Sequence, residues 1–218
     1  MQTISLPYGR GRVEAQIPDQ RLAAVLRSGA QSYRPQADQD QLVRQALENP
    51  IGTPPLRELA KGKHQVVIIS SDHTRPVPSK VILPQLVDEI RAGSPSAKIT
   101  VLVATGFHRP TTREEMLDKY GEELFLRSGL HFAVHLSGKD EDMVSLGTLP
   151  SGGKLLINKL AAQADLLVAE GFIEPHFFAG FSGGRKSVLP GVASRTTVLA
   201  NHCSALIDRL FARTGILD

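Results

Sequence analysis

Three continuous apolar runs organise the chain: HQVVIIS at 64–70, KITVLVAT at 98–105 and ADLLVAEG at 164–171. None of them alternates apolar with polar residues, so each predicts a strand that is buried on both faces, as in a parallel sheet. Segments of helical character follow the first two runs, at 79–93 and 111–121. This order predicts an α/β fold with a mostly parallel sheet flanked by helices, in a Rossmann-like arrangement.

Weaker patterns fill in the rest of the chain. Apolar positions near Gly9 and Gly11 predict a small N-terminal hairpin, with strands at 2–6 and 11–17. The remaining elements predicted are a surface helix at 38–48, strands at 131–136 and 154–158, and a helical turn at 158–164.

Two features of the predicted helices bear on function. Pro84 lies inside the segment 79–93 and should kink or shorten that helix. The last clear helix is predicted at 194–212, where His202 follows Val198 by about one turn. His202 should therefore point with the apolar stripe of this helix rather than towards solvent.

Composition is that of an ordinary soluble globular protein, with 41% hydrophobic and 22% charged residues among 218. No apolar run approaches the length of a membrane span, and the N-terminus lacks the pattern of a signal peptide. The single cysteine, Cys203, excludes an internal disulfide and predicts a cytoplasmic protein. The net charge of +3, with scattered Lys and Arg, suits a small anionic ligand better than nucleic acid.

Polar clusters follow each of the three strong strands, at 70–78 (SSDHTRPVP), 105–112 (TGFHRPTT) and 170–187 (EGFIEPHFFAGFSGGRKS). Ligands collect at the carboxyl ends of the strands in such sheets, so we expect the clusters to meet at one edge. In the first cluster Arg75, stiffened by neighbouring prolines, would present its guanidinium to a carboxylate or phosphate. That cluster alone also fits a capped strand-to-helix turn.

The glycine-rich part of the third cluster is similar to a phosphate-binding loop without matching it. Such a loop has Gly directly before Lys-Ser or Lys-Thr, whereas Arg185 separates Gly184 from Lys186. The backbone of 182–184 could bind an anion. Lys186, partly removed from water, could instead be a point of covalent attachment. The phenylalanines of this run argue against a merely solvated loop.

Three histidines lie in comparable settings: His108, His176 and His202. Imidazole binds Zn, Ni, Cu and Fe, so together they could form a metal site. Alternatively, two of them could act as acid and base while the third binds something else. The spacing does not choose between these possibilities, and neither HExxH nor CxxC is present. The other histidines are expected to be structural or at the surface: His64, His73, His131 and His135.

Read in order, SDHTRPVP, ATGFHRPTT, EPHFFAGFSGGRKSVLPG and ANH strongly resemble the N-terminal domain of the nickel-pincer-nucleotide-dependent lactate racemase family. The resemblance covers roughly residues 1–215, and no departure falls within the four motifs. It implies that 1–218 is an N-terminal, cofactor-binding catalytic domain. The abrupt end at Ile216-Leu217-Asp218 suggests that the smaller C-terminal domain of the family is missing after Asp218. The chain alone is then expected to be inactive.

The resemblance also implies a cofactor and the residues that hold it. In this family a lysine of the FSGGRKS motif, here Lys186, carries a nicotinic-acid-derived mononucleotide through a thioamide bond. The nucleotide binds nickel through a ring carbon and two sulfur atoms, and the ANH motif assigns the fourth ligand to His202. Gly183 and Gly184 would let the backbone approach the nucleotide. Dedicated maturation proteins are implied as partners.

For the reaction, the resemblance implies racemisation of a small 2-hydroxy acid such as lactate by reversible hydride transfer. His108 and His176 match the acid and base that serve opposite faces of the substrate. Arg75 would pair with the substrate carboxylate, and Asp72 would help to hold cofactor or substrate.

Two other functions remain as alternatives. One is a metal-dependent lyase or hydrolase that uses a histidine-only site, which metal binding without added mass at Lys186 would favour. The other is a non-catalytic nucleotide-binding domain, which nucleotide binding without turnover would favour.

Overall fold

The structure is a computed structural model that describes residues 1–216, with the side chain of Gln31 left out of the description. The prediction about the chain end rests partly on Leu217 and Asp218, which lie outside the described residues. By internal contacts the chain divides into two units, Met1–Asp38 and Gln39–Asp218.

The first unit contains the predicted hairpin. Strands β1 (Gln2–Tyr8) and β2 (Gly11–Ile17) pair antiparallel, with Gln2 opposite Ile17 and Tyr8 opposite Gly11. The chain reverses at Gly9, where a φ of +56° is readily adopted by glycine. Two short 3-10 turns follow in this unit, at Asp19–Arg21 and Gly29–Ser32.

The second unit contains the predicted α/β fold. Its strands are β3 (Gln65–Ser71), β4 (Lys98–Ala104), β5 (Leu130–Val134), β6 (Met143–Thr148), β7 (Lys154–Asn158), β8 (Leu166–Ala169), β9 (Pro175–His176) and β10 (Gly180–Phe181). Its helices are α1 (Gln39–Glu48), α2 (Leu56–Ala60), α3 (Ser79–Gly93), α4 (Arg113–Tyr120), α5 (Glu122–Phe125), α6 (Lys159–Ala162), α7 (Arg195–Asn201) and α8 (Ser204–Ile207). Short 3-10 turns lie at Asp140–Asp142 and Gly184–Ser187.

A parallel sheet forms the centre of this unit, with strand order β5-β4-β3-β8 in the described residues. β3 is buried on both faces, as its apolar run predicts. Val66 and Ile68 pack in a cluster with Leu83 of α3, whereas Val67 and Ile69 pack in a second cluster with residues of β7, α6 and α7. Burial of each such side chain contributes about 1.5–3 kcal/mol, so the two clusters fix the sheet between two layers.

Several local predictions are corrected. Helix α3 keeps its full predicted length through Pro84, so the expected shortening is wrong. The strand predicted at 154–158 is confirmed as β7, which pairs antiparallel with β6 in a sheet separate from the parallel one. The helix predicted at 194–212 is interrupted after Asn201, because His202 and Cys203 leave the helical conformation, with ψ values of 48° and 159°. Among the described residues, no helix is long and apolar enough to cross a membrane.

Candidate active site

The three polar clusters meet at one edge of the sheet. In register, Ser71 at the end of β3 lies beside Ala104 at the end of β4, and Ile69 lies beside Ala169 at the end of β8. The loops that follow β3, β4 and β8 therefore begin at the same edge of the sheet. Together with residues near the end of α7, these loops line a cavity of about 380 Å³. The predicted convergence of the clusters is present.

Asp72 and His108 form a hydrogen-bonded pair that joins the first two clusters. His108 Nδ1 lies 2.6 Å from Asp72 Oδ2, while Thr74 donates to Asp72 Oδ1 from its backbone N–H and its hydroxyl. Burial acts to raise the pKa of Asp72, but the hydrogen bonds from Thr74 and His108 outweigh it and leave the pKa below its usual value. The ionised carboxylate therefore accepts Nδ1–H, and the neutral form of the His108 ring then has its lone pair on Nε2.

Arg75 occupies the same loop, three residues beyond Asp72, and lines the cavity. Its backbone N–H donates to the Asp72 carbonyl at 3.3 Å, which closes a turn. Its guanidinium donates to Thr74 Oγ1 at 3.2 Å and keeps other donors for a ligand. Arg75 therefore brings a fixed positive charge and a planar donor group to the cavity beside His108.

The glycine-rich loop is tied down by Ser182, a residue to which the sequence analysis gave only a backbone role. The Ser182 hydroxyl donates to the Phe172 carbonyl at 2.5 Å and accepts from the Glu174 backbone N–H at 3.0 Å. The Ser182 backbone N–H donates to the Glu174 carbonyl at 2.8 Å. A serine that stabilises a loop through its own backbone and hydroxyl gives no distinctive signal in sequence.

Lys186 lines the same cavity and is half-buried. Its ammonium lies 5.9 Å from the centre of the Phe178 ring. Burial, and then the positive charge of Arg75, lower the pKa of Lys186. A lysine in this setting spends more time as the free amine than a surface lysine does, which favours covalent chemistry at Nζ.

The neutral rings of His176 and His108 are opposite tautomers. Its Nδ1 accepts a hydrogen bond from the Ala179 backbone N–H at 3.3 Å, so its neutral ring carries the proton on Nε2. The ring stacks on Phe177 and meets Phe178 edge to face, with centroid distances of 4.9 and 4.6 Å. Burial lowers the pKa of His176, and the charges of Lys186 and Arg75 lower it further. The lowered pKa favours the neutral ring of His176.

His202 comes directly after α7 and lines the cavity, with its backbone N–H bonded to the Val198 carbonyl at 2.8 Å. Because the helix ends at this point, His202 is a half-buried cavity residue rather than part of a long apolar stripe. Its ring meets Phe178 edge to face at 5.6 Å. Its Nδ1 is buried and finds no hydrogen-bond partner among the described residues. A buried nitrogen without a partner is costly unless a ligand satisfies it.

Only one of the two glycines expected beside the nucleotide lines the cavity. Gly183 lines the cavity, but Gly184 does not and is exposed, so only the first of the two glycines faces the site. Phe107 also lines the cavity and is 49% exposed, with Arg195 over its ring at 5.2 Å.

The histidines set aside in the sequence analysis have other contacts. His135 is fully buried and binds the Ala193 carbonyl at 2.9 Å and the Asn158 side chain at 3.2 Å. His73 pairs with the Thr111 hydroxyl at 3.1 Å. Within residues 1–216, no three His, Cys, Asp or Glu side chains come together as a set that could hold a metal ion. This speaks against a metal site built from histidines alone.

Substitution at Gly183 is expected to destabilise the loop more than the same change at Gly184. Gly183 has φ 71° and ψ −164°, a region open essentially to glycine, and an added Cβ would lie 3.0 Å from the Phe172 carbonyl oxygen. Gly184 also has positive φ, but its Cβ would meet open space. We expect Gly183→Ala to lower the free energy of unfolding by about 2–3 kcal/mol and Gly184→Ala by about 1 kcal/mol. Urea unfolding of the two variants measures the difference; equal losses would contradict this account of the loop.

Comparison with known proteins identifies the family. The family model described as the lactate racemase N-terminal domain matches residues 8–215. The chain belongs to the lactate racemase family. The resemblance drawn from its four motifs is thereby confirmed.

Individual members of the lactate racemase family match the whole chain. The lactate racemase of Thermoanaerobacterium thermosaccharolyticum is 57% identical over 218 residues, and that of Lactiplantibacillus plantarum is 54% identical over 217 residues. In both cases the match covers 100% of this chain and 51% of the relative. The chain therefore spans about half the length of the curated lactate racemases it matches.

Solved structures agree with the fold. The lactate racemase apoprotein from Thermoanaerobacterium thermosaccharolyticum matches with a TM-score of 0.87 and 56% identity, over 99% of this chain and 50% of that one. A protein from Thermotoga maritima matches with a TM-score of 0.66 over 82% of this chain and 44% of that one. Its identity of 23% supports a shared fold alone.

Proposed function

We propose that the whole protein interconverts the enantiomers of a small, lactate-like 2-hydroxy acid with a nickel pincer nucleotide attached to Lys186. One observation carries the proposal: Arg75, His108, His176, Lys186 and His202 line a single cavity. They are the residues that the motifs of the lactate racemase family mark for substrate, acid-base chemistry and cofactor.

The cavity residues fit such a cofactor in two respects. Lys186 offers a half-buried amine of lowered pKa, suited to a covalent link, and His202 offers a buried Nδ1 that has no partner in the described part of the chain. A metal that takes most of its ligands from a bound nucleotide needs only one such histidine, which agrees with the lack of a three-residue site in residues 1–216. When bound, the group would supply an acceptor that takes a hydride from the substrate and returns it.

A hydride acceptor suits this substrate class because removal of the Cα proton is difficult beside a carboxylate. The residues of the chain then have binding and proton-transfer roles. Arg75 would hold the substrate carboxylate through paired N–H donors. While Arg75 holds the carboxylate, the rest of the substrate can rotate, so the carbon that bears the hydroxyl can present either face to the acceptor.

His108 and His176 supply the proton chemistry, one as the neutral ring that takes a proton and the other as the imidazolium that gives one. The free Nε2 of His108, with Asp72 behind its Nδ1, can take the hydroxyl proton of one enantiomer. As the hydride returns to the carbonyl carbon, His176 in its imidazolium form can give a proton to the oxygen, which leaves the neutral ring that accepts from Ala179 N–H. In the reverse direction the two rings exchange these roles. Two histidines are needed because mirror-image alcohols direct their hydroxyls to opposite sides.

The test is an enantiomer assay on the full-length protein from its native host. We expect D-lactate or another small D-2-hydroxy acid to yield its L enantiomer, and the reverse reaction to reach the same mixture. Nucleotide binding without turnover of any 2-hydroxy acid would contradict the proposal and favour a binding domain.

A further inference from the structure

The loop between β3 and α3 carries two of the site residues, Asp72 and Arg75. Side chains that have no part in the proposed chemistry form hydrogen bonds to this loop. The loop begins at Ser70, near the end of β3, and finishes at Ser79, the first residue of α3. A loop that presents an arginine to a small anion needs its backbone fixed, because the guanidinium binds a carboxylate through two parallel hydrogen bonds only in one orientation.

Glu170 joins the two ends of this loop. It follows β8 directly and is 5% exposed. Its Oε1 accepts hydrogen bonds from the hydroxyls of Ser70 at 2.5 Å and Ser79 at 2.6 Å. Tyr120 donates to the same Ser70 hydroxyl at 3.0 Å. One carboxylate oxygen therefore spans the loop from its first residue to its last.

Lys119 supports the middle of the loop. It lies near the end of α4 and donates from Nζ to the Arg75 backbone carbonyl at 3.2 Å. Burial lowers the pKa of Lys119, while the carboxylates of Glu170 and Asp72 act against that shift. Burial likewise raises the pKa of Glu170, while its serine hydrogen bonds and the charge of Lys119 oppose the rise. Burial thus favours the neutral form of each side chain, and the charge of the other offsets this only in part.

We propose that Glu170 and Lys119 are positioning residues that hold Arg75 and Asp72 in the geometry needed to bind a substrate carboxylate. Neither side chain lines the cavity, so neither touches substrate. The proposal rests on the proposed function for its kinetic consequence. Its structural consequence, a loop 70–79 that loosens when either support is removed, does not depend on any activity.

A purely structural role is the competing explanation, since Glu170 is buried and Lys119 is half-buried. Conservative and disruptive variants distinguish a positioning role from a purely structural one. Glu170→Gln keeps an oxygen that can accept from both serines, whereas Glu170→Ala removes it. Lys119→Met keeps the length and apolar stem of the side chain but removes the donor. Controls of like type are Glu89→Gln, whose carboxylate pairs with Arg57, and Lys61→Met, whose ammonium pairs with Glu58.

The experiment measures KM and kcat for lactate in the full-length holoenzyme, together with amide hydrogen exchange of segment 70–79. Loss of carboxylate positioning weakens binding in both the ground state and the transition state, so KM should rise. We expect KM to rise about tenfold in Lys119→Met and Glu170→Ala, with kcat changed by less than about threefold. Exchange in 70–79 should quicken in these two variants. Glu170→Gln and both controls should stay within about threefold of wild type.

Two results would overturn the proposal. One is an unchanged KM together with unchanged exchange in Lys119→Met and Glu170→Ala. The other is faster exchange spread evenly over the whole sheet, with activity lost in proportion to folded protein. If wild-type protein turns over no 2-hydroxy acid, the proposed function fails, and the exchange of 70–79 still decides whether Glu170 and Lys119 position this loop.

Discussion

Lys186→Ala is expected to abolish both cofactor attachment and racemase activity in the full-length protein. The side chain is half-buried in the cavity, its pKa is lowered by burial and by Arg75, and its amine is the proposed point of covalent attachment. Loss of the amine removes the bond itself, so we expect no nucleotide-sized mass on the chain, nickel near background and no measurable turnover. Intact mass spectrometry and metal analysis measure the first two quantities.

Lys186→Arg and Arg185→Ala separate the possible causes of that loss. Arginine keeps the positive charge but not the attachment chemistry, so Lys186→Arg should be as empty as the alanine variant. Arg185 is the exposed neighbour of Lys186 and does not line the cavity, so Arg185→Ala should load and turn over normally. Nickel and activity retained in Lys186→Ala would show that the lysine only contacts a phosphate or another anion.

His108→Ala is expected to reduce kcat/KM by about 10²–10⁴-fold while the protein keeps its cofactor. The reason is that in the proposed reaction Nε2 of His108 accepts the hydroxyl proton, while Asp72, whose carboxylate lies 2.6 Å from Nδ1, orients the ring. Asp72→Asn should have an effect in the same direction, because an amide at that position no longer fixes the tautomer that leaves Nε2 free. Steady-state kinetics with each enantiomer, beside nickel content, measure the effect.

His131→Ala is the matched control for this prediction. His131 is an exposed residue of β5 and does not line the cavity, so its loss should leave kcat/KM within about twofold of wild type. Full activity in His108→Ala, or loss of the cofactor in that variant, would contradict the assignment of His108 as an acid-base residue. The second outcome would make it a cofactor ligand instead.

The sheet and the placement of the site could be predicted from sequence because both depend on strong local signals. Val66, Val67, Ile68 and Ile69 form an unbroken apolar run, and only a strand covered on both faces buries all four. The clusters after β3, β4 and β8 then had to meet, because parallel strands in register end at the same edge.

The features that could not be predicted from the sequence, namely the end of α7 and the roles of Glu170 and Lys119, depend on tertiary contacts. The i, i+4 spacing of Val198 and His202 is helical, yet the helix ends at Asn201 and His202 turns into the cavity. Glu170 and Lys119 were missed because their partners lie 91 to 100 and 44 residues away along the chain. For Glu170 a signal was available: it is the first polar residue after the apolar run LLVA at 166–169, and Asp72 likewise directly follows β3.

The most direct test of the central claim is an intact mass with nickel analysis on full-length protein, either from its native host or co-produced with the cofactor maturation proteins. The account predicts an added nucleotide-sized mass that maps to Lys186, together with about one nickel per chain, since one lysine carries one group. An unmodified chain under those conditions would contradict it, and Lys186 would then be an anion contact in a site of different chemistry.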